Sequence, residues 1–399
     1  MNNTRRNFLK SAALGSSSFF VSSGMIASNQ KESHHYRKNK VIYRTLGKTG
    51  IKLPVVSMGV MRADNPNLVK AALEKGIVHL DTAHGYQGGR NEEMLGKVLK
   101  GKARDSYVIS TKVPGGPKNK ETGSYDKDLS VKDFLEKLDT SLKRLQIDYV
   151  DLFYLHATNH RNQVLYEPLL KAMESAKKAG KIKHIAVSTH SNEPEVIQAA
   201  IDSKIYEVVL TAYNFKQHHN DKMNKVLEAA NQAGLGIVAM KTMAGGFHDK
   251  EKKDPVNTKA ALKWALQNPN VHTAIPGFTT YEHLEDSFSV MQNLKLSKQE
   301  KFDLFMKEGQ GSLYCQQCEV CLPQCKQKLP IPDLMRAYMY TYGYQNPKDA
   351  QHLLSTLNLP ENPCQDCNLC TIKCTSGFNI QDKIKDISRL RDVPTEFLG

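Results

Sequence analysis

Between Val41 and about Gly311 the chain alternates short β-rich runs with amphipathic stretches, eight times over, and few folds accommodate that rhythm. The runs are Val55–Gly59, Ile77–Asp81, Tyr107–Lys112, Tyr149–His156, Ile185–Ser188, Val208–Tyr213, Gly236–Met240 and Thr273–Gly277. Helical patterns fall between them at Asn67–Lys75, Glu92–Lys100, Val131–Leu145, Glu167–Ala179, Glu195–Ser203, Asp221–Ala233 and Thr258–Gln267, with Tyr281–Met291 after the last run. Gly76, Gly101, Gly180 and Gly234 close four of these helices, as left-handed caps require. Strands separated by helices pair in parallel, and eight units in some 250 residues predict an α/β fold, a closed (β/α)8 TIM barrel. An open doubly wound sheet is the competitor; it calls for a glycine-rich turn after the first strand, and Gly59-Val60-Met61-Arg62 is not one. The lead-in Val41–Leu53, with turn residues Gly47 and Gly50, is expected to plug the barrel bottom.

Catalytic groups in such barrels project from the C-terminal strand ends. Here the second strand ends in Asp81 with Tyr86 in the following loop, the third in Lys112 and the fourth in His156. An ammonium beside a phenol favours the phenolate, and a carboxylate beyond it keeps the ammonium charged. The expected product is a general acid able to protonate a carbonyl oxygen as hydride reaches carbon, with a neutral imidazole orienting that oxygen. Singly, each residue has a structural explanation: a rim ion pair, a loop tyrosine, a satisfied core histidine.

Jointly they are more specific. The run Asp81-Thr82-Ala83-His84-Gly85-Tyr86-Gln87-Gly88-Gly89-Arg90-Asn91-Glu92-Glu93, with Ser110-Thr111-Lys112 and Asp151-Leu152-Phe153-Tyr154-Leu155-His156, resembles the aldo-keto reductases. Gly180-Lys181-Ile182-Lys183 leading into Val187-Ser188, and Ile275-Pro276-Gly277, extend the likeness over about Val41 to Leu296. The resemblance implies a barrel reductase acting on a small-molecule carbonyl substrate, with Tyr86 as proton donor, Asp81 and Lys112 tuning it and His156 orienting the substrate. It also implies a pocket for NADP(H) or NAD(H), with Ser188, Asn214, Lys241, Gly277, Thr279 and Glu285 as contacts. Two positions depart from the family pattern: Leu210 replaces a glutamine and Met240 a stacking aromatic. Phe278-Thr279-Thr280 offers hydroxyls in place of the Lys or Arg common in members that hold a 2′-phosphate.

All eight cysteines lie between Cys315 and Cys374, which excludes a scattered disulfide framework. Cys315, Cys318, Cys321 and Cys325 have the same intervals as Cys364, Cys367, Cys370 and Cys374. Such C-x2-C-x2-C-x3-C runs predict two 4Fe-4S clusters, the fourth cysteine of each run ligating the other cluster. The expected sets are Cys315, Cys318, Cys321 with Cys374, and Cys364, Cys367, Cys370 with Cys325. Zinc is the alternative, and a zinc site of four cysteines needs two C-x2-C pairs instead. The segment resembles bacterial two-cluster ferredoxins, although Lys326 and Thr375 stand where those proteins carry proline, and 38 residues separate the quartets. Tyr338, Tyr340, Tyr342 and Tyr344, alternating in this insert, read as packing or surface residues.

The N-terminus reads as an address. Arg5-Arg6-Asn7-Phe8-Leu9-Lys10, then a weakly apolar stretch to Ala27 without an acid, predicts twin-arginine export to the periplasm; a basic disordered tail is the plainer alternative. The stretch is too broken by serine to span a bilayer, so no membrane span remains once it is removed. The net charge of +14 lies ahead of Cys315, +3 in residues 1–27, +3 in 28–40 and +8 in 41–314, because nine Lys and Arg balance nine Asp and Glu from Cys315 onward. No basic stripe interleaved with aromatics and no zinc-finger spacing supports a nucleic-acid partner.

The sequence therefore predicts a twin-arginine signal peptide over 1–27, a linker over 28–40, the reductase barrel over 41–311 and a small cysteine-rich ferredoxin-like domain over 312–399. The expected activity is that of an exported oxidoreductase passing electrons through its clusters, with a redox partner protein. The competing reading is an electron-transfer protein whose barrel binds a ligand without catalysis.

Overall fold

The structure, a computed structural model, describes residues 40–119, 122–126, 129–248, 252–305, 313–364, 367 and 370–398. The expected signal peptide and residues 28–39 of the linker lie outside them. The described residues belong to one compact unit.

A hairpin opens it: β1 (Tyr43–Thr45) pairs antiparallel with β2 (Lys52–Pro54). Eight barrel strands follow, interleaved with helices: β3 (Met58–Gly59), α1 (Pro66–Glu74), β4 (His79–Asp81), α2 (Arg90–Leu99), β5 (Val108–Pro114), α3 (Val131–Leu145), β6 (Val150–Thr158), α4 (Arg161–Val164) and α5 (Glu167–Lys178). Then come β7 (Ile182–Thr189), α6 (Glu193–Ser203), β8 (Val208–Ala212), α7 (Asn220–Gln232), β9 (Gly236–Met240), α8 (Thr258–Gln267), β10 (Thr273–Ala274), α9 (Tyr281–Gln292) and α10 (Lys298–Phe305). Helix starts follow local chemistry. Asn65, Ser130, Asn257 and Thr280 each cap a helix by accepting a backbone N–H, and Pro66, Pro168 and Pro194 occupy first turns.

The eight strands pair in parallel, in sequence order from β3 to β10. Parallel bridges from Val56 to Ala274 and from Gly59 to Gly277 close the ring. The chain is thus the expected closed barrel and not an open sheet. Leu46, Leu53, Leu152, Tyr154, Leu210 and Val238 fill its interior. The hairpin plugs the end where strands begin, as Lys48 N–H donates to Gly234 O at 2.8 Å. A Cβ at Gly47 would stand 2.3 Å from Gly236 N, so only glycine fits there.

Beyond the barrel, the described residues from 313 onward form no strand and three α-helices, α11 (Ile331–Tyr342), α12 (Pro347–Ser355) and α13 (Ile380–Ser388), followed by two short 3-10 turns at Arg389–Asp392 and Thr395–Phe397. The segment between the quartets folds as α11 and α12 because prolines at 332 and 347 open each helix and Asn346 caps the second. The cysteine runs occupy the loops before α11 and before α13. Met61, beside the first barrel strand, packs into this module's core. Among the described residues, no helix is long and apolar enough to cross a membrane.

Candidate active site

Parallel strands deliver Asp81, Lys112 and His156 to one end of the barrel. Asp81 ends β4, and Lys112 lies on β5 two residues beyond the partner of Asp81, Ser110. Both side chains are almost wholly buried and form an ion pair, and Lys112 Nζ also donates to Thr82 O at 2.6 Å. Ser110 Oγ donates to the other oxygen of Asp81 at 2.6 Å. Burial pulls the Lys112 ammonium below its ordinary pKa, and Asp81 opposes that pull. Tyr86 begins a short turn in which Gln87 and Gly88 adopt positive φ, and its ring centroid lies 5.1 Å from Lys112 Nζ. His156 meets the Tyr86 ring edge-on at 6.2 Å. Tyr86, Asp81, Lys112 and His156 are therefore gathered at one place.

One electrostatic expectation is corrected. The phenol of Tyr86 is not made more acidic: burial raises it well above the ordinary value, and Asp81, Tyr340 and Asp349 add to the rise. The reason is geometric. Lys112 spends its ammonium on Asp81 and a carbonyl, so desolvation outweighs it at the ring. With the cavity empty, burial thus favours the protonated phenol, the form that can donate to a carbonyl oxygen. His156 is neutral, because burial and then Lys112, Arg336, Lys118 and Lys241 all oppose protonation.

A cavity of about 470 Å³ runs from Asp81 and Tyr86 past Met240, Lys241, Gly277 and Thr279 to His283 and Asp286 of α9. Three expected cofactor contacts, Lys241, Gly277 and Thr279, line it. The other three do not. Ser188 is buried, and its Oγ accepts from Ala157 N–H at 2.9 Å, pinning the bulge just after His156. Asn214 is turned into its own loop, where Oδ1 accepts from Lys216 N–H at 3.0 Å. Glu285 points to solvent and pairs with Lys75 at 2.8 Å; Asp286 and His283 take the cavity side of that helix. Helical phase is the cause, since neighbouring residues on a helix face different ways.

Several residues in or beside the cavity carry no local sequence signal. His190 stands two residues beyond Ser188, its ring 6.3 Å from that of His156. Tyr340 and Tyr344 come from α11 and its end, stack at 5.9 Å and lie 4.7 and 5.4 Å from Lys241 Nζ. Arg336 on α11 bears on Tyr86, His156 and His190. Asp349 of α12 is nearly buried and accepts the backbone N–H of Gln87, the residue after Tyr86. The cysteine-rich module thus builds one wall of the cavity. Tyr338 and Tyr342 pack on each other at 4.5 Å.

The thiols sort into two neighbourhoods. Cys315 is flanked by Cys318, Cys321 and Cys374, and Cys364 by Cys325, Cys367 and Cys370. Burial pushes the thiols of Cys315 up to about 12 and of Cys364 up to about 11, with the neighbouring sulfurs adding to both. Among the described residues, no three His, Cys, Asp or Glu side chains stand close enough to hold a single metal ion. The loop before Cys315 lies on the barrel: a Cβ at Gly245 would stand 3.0 Å from Tyr314 N, and Gln316 Nε2 donates to Lys216 O at 2.8 Å.

Residues 50–260 match the model of the aldo/keto reductase family. The L-glyceraldehyde 3-phosphate reductase of Escherichia coli K12 is 24% identical over 338 residues, covering 70% of this chain and 96% of that protein. The L-galactose dehydrogenase of Arabidopsis thaliana is 24% identical over 301 residues, covering 64% and 90%. Among solved structures, an aldo-keto reductase from Bacillus halodurans superposes with a TM-score of 0.54 at 20% identity, over 70% of this chain and all of that one. A thermostable aldo-keto reductase gives 0.53 at 26% identity, over 67% and 99%.

Proposed function

The chain belongs to the aldo/keto reductase family and is an oxidoreductase, and from that premise we propose an exported iron–sulfur enzyme that interconverts a small carbonyl compound and its alcohol. The observation that carries this reading is the convergence of Tyr86, the Lys112–Asp81 pair and His156 at one end of a cavity that continues to Thr279 and α9. A nicotinamide dinucleotide, NADP(H) or NAD(H), supplies hydride when bound, and Lys241, Gly277, Thr279 and His283 are the residues that would hold it. Tyr86 does the proton work. As hydride adds to the carbonyl carbon, the C=O electron pair moves to oxygen, which takes the Tyr86 proton; water then restores it to the phenolate. Lys112, beside the ring, stabilises that phenolate, and Asp81 keeps the amine charged. Neutral His156 orients the carbonyl oxygen. Run backwards, the same groups oxidise an alcohol, and relatives named as a reductase and as a dehydrogenase accord with both directions.

The cysteine sets fit two 4Fe-4S clusters, with three thiols from one run and the fourth from the other in each. Clusters there supply single-electron exchange with a redox partner protein. The Arg5-Arg6 signal supports export of the folded, loaded chain to the periplasm. Anaerobic purification should return roughly eight irons per chain, as two four-iron clusters require. Tyr86→Phe should lower carbonyl reduction about 10²- to 10⁴-fold while the iron content stays unchanged. Unimpaired reduction by that variant would remove the enzyme reading in favour of a ligand-binding barrel beside an electron carrier.

A further inference from the structure

The cysteine-rich module sits on the barrel mouth as a cap, touching five of the loops that follow barrel strands. After β3, Met61 packs into the module's core. After β4, a Cβ at Gly85 would stand 3.4 Å from His352 Nε2 of α12. After β6, Asn159 Nδ2 donates to Glu319 Oε1 at 3.4 Å, and after β8 the carbonyl of Lys216 accepts from Gln316 Nε2 at 2.8 Å. The approach is closest after β9. A Cβ at Gly245 would stand 3.0 Å from Tyr314 N, and one at Gly343 would stand 2.8 Å from Gly245 O, so backbone meets backbone there.

This cap forms part of the long cavity. The corner between α11 and α12, Gly343-Tyr344-Gln345, lines the cavity, and so do Lys241, Thr242 and Gly246 of the loop after β9. The corner is stiff: Gly343 N–H and Tyr344 N–H both donate to Met339 O, at 2.8 and 3.0 Å, and Asn346 N–H donates to Tyr340 O at 2.9 Å. Tyr344 stacks on Tyr340, and Lys241 Nζ stands 5.4 Å from its ring. The β9 loop and the corner are thus two walls of one cavity, joined where they touch. Tyr86 lines the same space, as do Gly277, Thr279 and His283, which would hold a dinucleotide. At about 470 Å³ the cavity is of the size that buries most of a small ligand. Anything long enough to touch both Tyr86 and His283 occupies a space that the module helps to enclose.

We infer that Tyr340, Gly343, Tyr344 and Gln345 belong to the dinucleotide site, and that the docked module keeps the dinucleotide as a resident group instead of a co-substrate exchanged at every turnover. This rests on the reductase reading above. An open cleft releases a ligand as soon as the ligand's own contacts break. Here release waits for the module to lift, and lifting breaks the contacts at all these loops together, a cooperative opening that is rare. By the same coupling a filled site holds the module down. Hydride is restored in place by the reverse reaction: an alcohol gives up a hydride from carbon and a proton from oxygen to the Tyr86 phenolate, and the next carbonyl compound takes both.

Anaerobically purified holoenzyme, dialysed at length, should yield about one dinucleotide per chain on acid denaturation. In the folded enzyme, exchange with an excess of the same dinucleotide carrying an isotopic label should be first order and independent of its concentration, with a half-time of the order of an hour. Tyr344→Ala should speed that exchange about tenfold or more at unchanged iron content, and Tyr344→Phe should keep it slow; Tyr344→Leu serves where the alanine variant does not fold. With no nucleotide added, an aldehyde should bleach the nicotinamide fluorescence of the retained group, and an excess of the alcohol made from it should bring the signal back. A wild type that emerges empty, or exchanges within the mixing time, while reducing aldehydes with added NADPH or NADH would overturn the inference and leave the reductase intact. Slow exchange untouched by Tyr344→Ala and Tyr344→Leu would remove the module from the site, and a bleached signal that the alcohol cannot revive would remove the recharging; either overturns the inference. Protein that binds no dinucleotide and reduces no aldehyde would defeat the parent reading and this one with it.

Discussion

Asp81 is held by a chain of buried polar groups that runs down the barrel. Ser110 Oγ bridges it to His79 Nε2 at 3.1 Å, His79 Nδ1 meets Ser57 Oγ at 3.0 Å, and Ser57 meets Thr273 Oγ1 at 2.8 Å. Ser110→Ala would strand one atom on Asp81 and another on His79, costing about 1–3 kcal/mol of stability in denaturant unfolding. It should also lower kcat, because the carboxylate that steadies Lys112 loses a donor. His79 and His272 are both held down to about 4 by burial. His272 is further bound to its neutral form because Nδ1 accepts Ile237 N–H at 2.9 Å. An unfolded histidine titrates near 6.5, so between 6.5 and 4 the unfolded chain takes up protons that the folded chain refuses. Stability is full above pH 6.5 and falls as pH drops toward 4, by roughly 3 kcal/mol per residue. Urea midpoints measured from pH 7 to pH 4.5 should decline steadily, and His272→Gln should flatten the decline.

At the level of elements, the barrel seam and the Tyr86 turn set the tolerances. A Cβ at Gly59 would stand 2.7 Å from Ile275 O, where the first and last barrel strands meet. Gly59→Ala must therefore push the seam apart, and we expect a melting temperature lower by several degrees, corresponding to about 1–3 kcal/mol. The turn is held from outside the barrel, by Asp349 accepting Gln87 N–H. Asp349→Ala should lower kcat about tenfold with little change in dinucleotide affinity, because an interaction felt at the transition state is lost and uniform binding is not. Strands, helices and the meeting of Asp81, Tyr86, Lys112 and His156 were legible in the sequence because the signals are local: three of the four end a β-rich run, and capping residues stand at fixed offsets. That Glu285 faces solvent was not legible, because a family resemblance does not fix helical phase. The bond of Ser188 to Ala157 was not legible, because it depends on a bulge that has no sequence mark.

For the whole molecule, the two halves of the chain make one chamber. His190, Arg336, Tyr340 and Asp349 were not legible, since their relevance arises only when α11 and α12 come down on the barrel mouth. The sole hint was His190, immediately beyond the fifth barrel strand. The cysteine spacing, by contrast, is a local signal, and Cys374 stands near Cys315 and Cys325 near Cys364. If the thiols hold iron, removing it should loosen the module and the active site together. We expect chelated protein to lose hydrogen-exchange protection across 313–398 and in the Tyr86 turn, while the strands of the barrel stay protected. A stripped chain with full activity and an unchanged exchange pattern would show the halves to be independent. Were that dependence found, the clasp of Asp349 on the turn would serve as an inspection step. A chain that never received its metal would carry a slack proton donor and an unfinished vessel, so it would stand idle instead of reducing whatever aldehyde drifted in.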